Sequence, residues 1–303
     1  MDYGGIDQGF IESFSDIVTY QLQQKESKLL PYVMQQTGDG KIFQLNVEFP
    51  KVQTEPVIGR NQEVVYQDYS MGSRWVYPDA EKDARIISHA DVLKMKINMA
   101  AAAPLVNSIV MAFNRAIDKR IVEAALGSAN IGINGTSTVA LPSSQIIPIA
   151  TGASAATGMN VEKIKEAAAK LDDASVPYED RVLAMTPKQF SELLNEVQTT
   201  NNLYNGTYPL VSNDLPHFLG FDIVRIPSVD NILPISGTTR TCLAFQKSRM
   251  FHVPWGSGLM VDYIAKLPYN GDYGLSSGLY ISMMWGATRT AEEAVVGIPC
   301  VEA

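Results

Sequence analysis

The segment 161–229 decides the fold. It begins with VEKIKEAAAKLDDASVP (161–177), whose apolar residues recur every three or four positions, as in an amphipathic helix. EDRVLAMTP (179–187) then contains a short apolar strand, and KQFSELL (188–194) has the composition of a short helix. After a polar loop, FLGFDIVRIPSV (218–229) predicts a further strand. This order predicts a mixed α+β protein, and the segment contains no catalytic motif.

The composition is that of a folded chain that associates. With 303 residues it exceeds the usual size of one hydrophobic core, which predicts two domains or one domain with large excursions. Its charged fraction of 18% is lower than is usual for a soluble domain, so we expect part of its apolar surface to be covered by association. The net charge of −8 argues against a protein that grips the nucleic-acid backbone, but it is compatible with a container for nucleic acid.

Three parts of the chain are long for one compact body. Residues 7–34 have a single apolar stripe at helical spacing, and residues 104–126 predict a helix about 34 Å long that ends at Gly127. Residues 41–49 and 63–69 predict a two-stranded ribbon roughly 30 Å long. A compact chain of this length has a radius of gyration of about 19 Å. Because an isolated hairpin is marginally stable in water, we expect the ribbon to rest on another surface.

Strands dominate the second half of the chain. Before them, residues 127–158 are rich in Gly, Ser, Thr and Ala and predict an irregular excursion. In the strand predicted for residues 278–286, alternate residues are large and apolar and share one face. The predicted strands are 181–185, 221–226, 241–246, 250–253, 258–267, 278–286 and 295–298.

The sequence predicts no metal or cofactor site. His89, His217 and His252 do not stand at a ligand spacing, and no phosphate-binding GxxxxGK[ST] loop occurs. Cys242 and Cys300 make neither a disulfide framework nor a zinc site, so we expect two free thiols in a reducing cytoplasm.

A hydrolase is the enzymatic alternative. Ser257 lies between two glycines, and His252 and Asp262 could complete a triad with it. The GxSxG spacing that exposes a nucleophile on a sharp turn is absent, however, so we predict no catalytic residue and no enzymatic activity.

No secretory or membrane segment is expected. The N-terminal MDYGGIDQGF (1–10) has no basic part followed by an apolar one. The most apolar stretch, 97–113, is interrupted by Asn98, Pro104 and Asn107, and a bilayer needs about 20 mostly apolar residues. We therefore expect a soluble protein that is intracellular when it is made.

Six stretches occur in a specific order at ordinary separations. They are VTYQLQQKESKLLPYV (18–33), RWVYPDAEKDARI (74–86), DVLKMKINM (91–99), SIVMAFNRAIDKRIVEAALGSANIGINGTSTVALPSSQ (108–145), KLDDASVPYEDRVLAMTPKQFSELL (170–194) and DLPHFLGFDIVRIPSV (214–229). Together they resemble the major capsid proteins of tailed bacteriophages, whose fold is shared by herpesvirus shell proteins and encapsulins. The first stretch resembles the N-terminal arm of that family, and the fourth resembles its long spine helix.

The resemblance implies a tailed-phage capsid fold with four parts. In the family, the arm and an extended loop overlap neighbouring subunits, which would supply the burial that the ribbon lacks. The implied parts are an N-terminal arm at 1–38, an extended two-stranded loop at 39–85, a peripheral domain at 86–180 and 263–303 with its spine helix at about 104–126, and an axial domain at 181–262.

The resemblance also implies a function. It implies a major capsid protein that self-assembles as pentamers and hexamers into an icosahedral shell enclosing the double-stranded DNA genome of a phage. An encapsulin-type nanocompartment shell, which encloses enzyme cargo, is the alternative. The implied partners are other copies of the chain, a separate scaffolding protein, a portal protein and packaged DNA bound without sequence specificity, with a decoration protein left open and no membrane. The implied location is the virion capsid, and the host cytoplasm during assembly.

The apolar face of the predicted ribbon is the expected contact with a neighbouring subunit. Its large residues alternate with polar ones along residues 43–49. We expect Phe43→Asp or Val47→Asp to spare folding of the single subunit and to impair assembly. The subunit-interface candidates are Phe43, Leu45, Val47, Phe49, Val64, Tyr66 and Trp75.

Overall fold

The computed structural model describes residues 24–48, 54, 72–88, 102–196, 215–256, 260–264 and 276–302. Its α-helices there are α1 (Ala102–Leu126), α2 (Val161–Asp173) and α3 (Pro187–Leu194). Its strands are β1 (Met34–Gln35), β2 (Phe43–Glu48), β3 (Gly72–Val76), β4 (Asp79–Ser88), β5 (Ser128–Ile131), β6 (Ser137–Ala140), β7 (Arg181–Met185), β8 (His217–Phe218), β9 (Phe221–Arg225), β10 (Ile235–Ser236), β11 (Thr239–Gln246), β12 (Met250–Pro254), β13 (Met260–Ile264), β14 (Ser276–Arg289) and β15 (Val295–Val301).

The strands form three sheets. The central sheet has the order β10-β11-β7-β9-β8, and β15 also pairs with β11. The long sheet has the order β1-β12-β14-β13, and β4 pairs with β14 over ten residues. The small sheet has the order β2-β3-β5-β6. The fold is therefore a mixed α+β architecture, as the sequence predicts.

Local capping signals fix the starts of the two shorter helices. At α2, the side chain of Asn160 accepts a hydrogen bond from the backbone N–H of Lys163 at 2.8 Å. At α3, Thr186 and Gln189 form a capping box ahead of the proline that opens the helix. Both helices begin at the residue where the sequence pattern changes from loop to apolar periodicity.

The central sheet separates two layers of helix. Along β7, Val182 and Ala184 pack in the same core cluster as α1, whereas Leu183 and Met185 pack in the cluster that contains α2 and α3. This follows from the alternation of side chains across a strand. The sheet is thus buried on both faces, which explains why β7 is apolar at every position after its first arginine.

Helix α1 lies between the central sheet and the long sheet. Its buried stripe, which includes Ile109 and Phe113, joins Ile281 and Trp285 of β14 in one cluster. The rings of Phe113 and Trp285 meet edge to face with centroids 6.0 Å apart. The helix is therefore a shared support for both sheets. No helix in the described part of the chain combines the length and apolarity needed to cross a membrane.

Most predicted elements are confirmed, but two are corrected. The helix predicted for 7–34 is wrong over its described part: residues 24–34 hold only a single turn of 3-10 helix at Leu30–Tyr32 and the start of β1. The predicted irregular excursion contains the two strands β5 and β6. Strand β4 was not predicted, because DAEKDARIIS lacks apolar alternation and is held in place by its long ladder with β14.

The central sheet joins elements from both sides of the predicted domain boundary. Helix α2 packs on the central sheet, and β15 pairs with β11 from Thr239 to Phe245. Both elements were predicted to belong to the peripheral domain, at 86–180 and 263–303. Helices α2 and α3 and strand β15 thus lie against the central sheet, and the predicted domain bounds stay a prediction.

Candidate assembly surface

The base of the predicted ribbon is covered by its own chain. Leu45 is only 5% exposed and packs with Val76, Val253 and Trp255. Phe43 is half-buried, and its ring meets Trp255 edge to face at 6.3 Å between centroids. The expectation that this apolar face needs a neighbouring subunit is therefore wrong for Leu45. It is weakened for Phe43, whose replacement by Asp is now expected to disturb the single subunit as well.

Of the five remaining subunit-interface candidates, Trp75 is the one whose side chain the structure describes. Trp75 lies on β3, where its indole N–H donates to the carbonyl of Gly132 at 2.5 Å. Strand β2 pairs with β3, and the strand predicted at 63–69 lies outside the described residues. Phe49, Val64 and Tyr66 lie outside the described residues, as does the side chain of Val47. Their interface role stays a prediction.

A groove on the small sheet exposes apolar surface beside Trp75. It has a volume of about 580 Å³, and its apolar lining includes Trp75, Ile131, Ile133 and Val139. Ile133 is 83% exposed, because the turn after β5 carries it outward. We call this feature the small-sheet groove. An isoleucine this exposed beside a tryptophan marks a contact surface better than a lone exposed side chain does.

The turn that carries Ile133 contains residues with a positive φ. Gly132 has a φ of 79° and Asn134 a φ of 53°, which are left-handed conformations that glycine and asparagine adopt most readily. The hydroxyl of Tyr77 donates to the carbonyl of Asn134 at 2.6 Å, and Trp75 holds Gly132 as described above. Trp75 on β3 and Tyr77 just after it therefore hold the turn through hydrogen bonds to its carbonyls.

A second apolar surface lies on the long sheet, on the face away from α1. The register of β14 with β4 places Tyr280 opposite Ala84 and Met284 opposite Ala80. All four residues are exposed, and Ile86 is 54% exposed farther along β4. We call Ala80, Ala84, Ile86, Tyr280 and Met284 the outer-sheet patch. These residues share one face of the sheet because they alternate with those that face α1, and the paired Lys82 and Ser282 lie between them.

The patch has a clear signal in the sequence that the sequence analysis missed. The strand SGLYISMMWGATR has large residues on both faces: Ile281 and Trp285 point to α1, and Tyr280 and Met284 point away from it. A strand that is apolar on both faces is typical of one covered on both sides. Nothing in the described residues covers the second face.

Single apolar residues also stand out on loops beside the central sheet. Val229 is 86% exposed and Tyr178 is 72% exposed. The guanidinium of Arg181 lies 4.6 Å from the centre of the Tyr178 ring, which orders that side chain. Isolated exposed residues are common on protein surfaces, so these two carry less weight than the patch and the groove.

The chain matches the family model described as phage capsid protein over residues 6–302. It belongs to the phage capsid protein family. No curated protein matches the chain.

Solved phage capsids share the fold of this capsid protein. It aligns with the capsid of cyanophage Pam1 at a TM-score of 0.71 and 13% identity, covering 100% of this chain and 99% of the other. For the capsid of Helicobacter pylori bacteriophage KHP30 the TM-score is 0.70 at 13% identity, with 100% and 99% covered. For cyanophage P-SCSP1u the values are 0.69 and 16%, with 97% and 94% covered.

A buried carboxylate fastens the N-terminal part of the capsid protein to its long helix. Asp118 of α1 is fully buried and accepts backbone hydrogen bonds from Lys28 at 2.9 Å and Leu29 at 3.0 Å. It also accepts from the side chains of Gln24 and Ser27. Four donors on one carboxylate satisfy its lone pairs, which a buried charge requires.

A buried arginine joins the end of α1 to the small sheet. Arg289 Nη1 donates to the carbonyls of Ala124, Ala125 and Gly127, and Nη2 donates to Val139. The last carbonyls of a helix lack intrahelical partners and carry partial negative charge, so a guanidinium stabilises them. Burial lowers the pKa of Arg289, and the nearby carboxylate of Glu292 raises it.

The two cysteines lie beneath α2 with a buried lysine. Lys163 Nζ donates to the carbonyls of Thr157 and Pro299, both at 2.8 Å, and lies 4.0 Å from Cys300 Sγ. Cys242 and Cys300 are both buried and free, as predicted. A hydrogen bond with Cys300 and burial raise the pKa of Cys242 well above its usual value, so this thiol stays protonated.

The described residues do not assemble the hydrolase triad. His252 is buried on β12, and neither ring nitrogen has a hydrogen-bond partner among the described residues. Burial lowers its pKa to about 4. Ser257 lies outside the described residues, as does the side chain of Asp262. The described part of the chain also has no cluster of side chains that could hold a metal ion.

Proposed function

We propose that this capsid protein self-assembles as pentamers and hexamers into a closed icosahedral shell around the double-stranded DNA of a phage. The observation that carries the proposal is the match to the phage capsid protein family over residues 6–302, together with shared fold over nearly the whole length of the solved capsids. The solved structures named above are phage capsids, which favours this reading over an encapsulin-type shell.

The surfaces described above supply a physical basis for the proposal. Burying a fully exposed side chain of this size contributes roughly 1.5–3 kcal/mol, so covering Ile133, at 83% exposure, contributes most of that amount. Tyr280 and Met284, at 37% and 42% exposure, contribute less than half of it each. A stable interface buries about 800 Å² on each partner. The outer-sheet patch and the small-sheet groove lie on different sheets, so one subunit can contact two neighbours. Modest contacts repeated over a closed lattice then add up to a stable shell.

The net negative charge of the chain is compatible with a shell that encloses DNA. The net charge of −8 leaves little attraction for DNA phosphates overall, so packaged DNA is held by confinement rather than by sequence-specific contacts. The further partners we propose are a scaffolding protein and a portal protein, with the host cytoplasm as the place of assembly. The role is structural rather than enzymatic, because family membership and the exposed apolar surfaces both concern assembly.

Sedimentation and electron microscopy test the proposal. The purified full chain, alone and with a scaffolding protein encoded beside it, should yield closed particles of uniform diameter with fivefold and sixfold clusters of subunits. Particles loaded with a cellular enzyme and formed without scaffold would instead favour the nanocompartment. A chain that stays monomeric under every assembly condition would contradict both readings.

A further inference from the structure

Strand β4 forms an open edge of the long sheet. It pairs with β14 from Asp79 to Ser88, and no other strand in the described part of the chain pairs with it. Residues 79–82 and 84–86 are exposed, and residue 83 is half-buried. Ten residues make a long open edge, and such an edge presents unpaired backbone N–H and C=O groups to any other strand.

The pairing of β14 shows which backbone groups of β4 are unpaired. The N–H and C=O groups of one strand residue point to the same side, and successive residues alternate. The carbonyl of Met284 accepts a hydrogen bond from the N–H of Trp255, which directly follows β12, so the backbone groups of Met284 point away from β4. The partner of Met284 in β4 is Ala80, whose backbone groups therefore point away from β14. By the same alternation, the outward-facing backbone groups of β4 belong to Ala80, Lys82, Ala84, Ile86 and Ser88.

The charges on β4 restrict which strand can pair with this edge. Glu81, Asp83 and Arg85 alternate along the face towards α1, whereas Lys82 lies on the outer face. Charged residues on an edge keep most other strands away, because like charges directly opposite each other are destabilising. A strand that pairs with β4 therefore has to place opposite charges or neutral residues across from these four.

A second copy of β4 meets this condition in one register. Two antiparallel copies keep each residue on its own face of the sheet when a twofold axis passes through one residue position. With the axis at residue 81, 82, 83 or 85, that charged residue lies opposite its own copy, so like charges meet. Axes at residues 80 and 86 shorten the ladder and bring no opposite charges together. With the axis at Ala84, Asp83 of each copy lies opposite Arg85 of the other, and no like charges are directly opposite.

Space for the second strand exists beside β4. A groove of about 390 Å³ separates β4 from the first half of α1, and its apolar floor includes Ile109 and Phe113. The side chains that a second strand directs towards α1 can enter this groove. Arg85 Nε lies 2.9 Å from the Asp83 carboxylate of its own chain, and the Arg85 side chain is 58% exposed. Its outer nitrogens can therefore also bind Asp83 of the second copy, which makes a network of four charges.

We propose that two copies of the chain join edge to edge through β4, antiparallel and with Ala84 on the twofold axis. The two long sheets then become one sheet, held by about ten backbone hydrogen bonds, two for each outward-facing pair. Ala84 and Ile86 of the two outer-sheet patches come side by side, so the patches form one larger apolar surface. Another copy is the partner because the chain is a phage capsid protein, so the inference rests on the proposed assembly.

Oxidative cross-linking of the full chain tests this contact. Ala84→Cys and Ala80→Cys each place one thiol at an exposed alanine on the outer face of β4. In the proposed register the two copies of residue 84 have Cα atoms about 5.5 Å apart, which a disulfide spans, whereas the two copies of residue 80 are about 26 Å apart. Oxidation should therefore give at least about tenfold more covalent dimer from Ala84→Cys than from Ala80→Cys. The parent chain, whose Cys242 and Cys300 are buried, should give none.

Charge reversal in the Ala84→Cys chain tests the register. Arg85→Asp places like charges opposite each other at two points and should lower the dimer yield at least about threefold. Adding Asp83→Arg to the same chain restores opposite charges in both pairs, so the yield should recover. A structural defect caused by Arg85→Asp alone does not predict this recovery.

Two results would overturn the contact: equal dimer yields from Ala80→Cys and Ala84→Cys, or no recovery in the double reversal. Electron microscopy of the same samples reads shell formation separately. Closed shells without the cross-link at residue 84 would exclude this contact and leave the proposed function standing. Cross-linked dimers that never form shells would support the contact and contradict the proposed function.

Discussion

Asp118 and Leu29 lie 89 residues apart in the sequence, yet the backbone N–H of Leu29 donates to Asp118 Oδ1 at 3.0 Å. The carboxylate is buried in the middle of α1, and its hydrogen-bond donors all come from residues 24–29. Because the turn at 24–29 is irregular, it cannot satisfy these donors by itself. Asp118 therefore binds residues 24–29 at one defined position on α1.

Asp118→Asn should destabilise the single subunit by about 2–4 kcal/mol. An amide has only one acceptor oxygen, and its NH₂ group would face a backbone N–H that now lacks a partner. Urea unfolding of the unassembled protein measures the effect. Asp39→Asn, at an exposed position, is the matched control and should change the free energy of unfolding by less than about 0.5 kcal/mol.

Arg289→Lys should cost about 3 kcal/mol or more. The planar guanidinium reaches the end of α1 and Val139 of the small sheet together, and an ammonium group cannot span both. The midpoint of urea unfolding checks the loss, and Arg85→Lys on the exposed rim of β4 provides the comparison. Equal midpoints for the two variants would show that Arg289 does not couple these elements.

Acid should weaken the subunit through His252. Its pKa is about 4 in the folded chain against 6.5 for an ordinary histidine, so the unfolded state binds the proton more readily. Stability is therefore full above pH 6.5 and is lost as the pH falls towards 4, by at most about 3 kcal/mol from this group.

The test is the pH dependence of unfolding in His252→Phe. This variant should lose less stability between pH 7 and pH 4.5 than the parent protein. His217→Gln, at an exposed position on β8, should keep the part that His252 contributes. A slope that is the same in the parent protein and in His252→Phe would rule out the assigned cause.

The outer-sheet patch should matter for assembly and not for folding. Tyr280→Lys combined with Met284→Lys should leave the unfolding midpoint of the subunit nearly unchanged, because both side chains are exposed. Two charges in a buried contact should reduce particle yield at least about tenfold. Val229→Lys, on an exposed loop beside the central sheet, tests charge alone. Normal particle yield from the double variant would exclude the patch from the interfaces.

Phe43→Asp should destabilise the single subunit, whereas the sequence alone predicts that this substitution spares folding. Because the ring packs on Trp255 of the same chain, we expect a loss of about 2–4 kcal/mol in subunit stability. Phe43→Leu retains an apolar side chain and should lose less than half of this. Circular dichroism during urea unfolding distinguishes the two, and wild-type stability for Phe43→Asp would restore the original expectation.

Elements with their own periodic signal were predictable. Helix α2 and strand β7 follow from local spacing alone: α2 starts at the predicted residue 161, and β7 has the predicted bounds 181–185. Helix α1 was predicted to within two residues of its start. Each of these elements buries one stripe or one face, so the spacing of its own apolar residues predicts it.

Elements that depend on distant partners were not predictable. Strand β4 is polar and forms only because β14, almost two hundred residues later, supplies its ladder. Residues 24–34 have helical spacing, but Asp118 holds part of them in an irregular turn. The outer-sheet patch required the register of β4 with β14 before Ala80 and Met284 could be placed side by side. Apolar content alone does not show which face the fold itself covers.

Electron cryomicroscopy of the assembled particle is the most direct test of this capsid protein's role. It should show a closed icosahedral shell in which Tyr280, Met284 and Ile133 lie against neighbouring copies of the chain. A particle in which these three side chains remain in solvent, or a protein that never assembles, would contradict the role proposed for these surfaces.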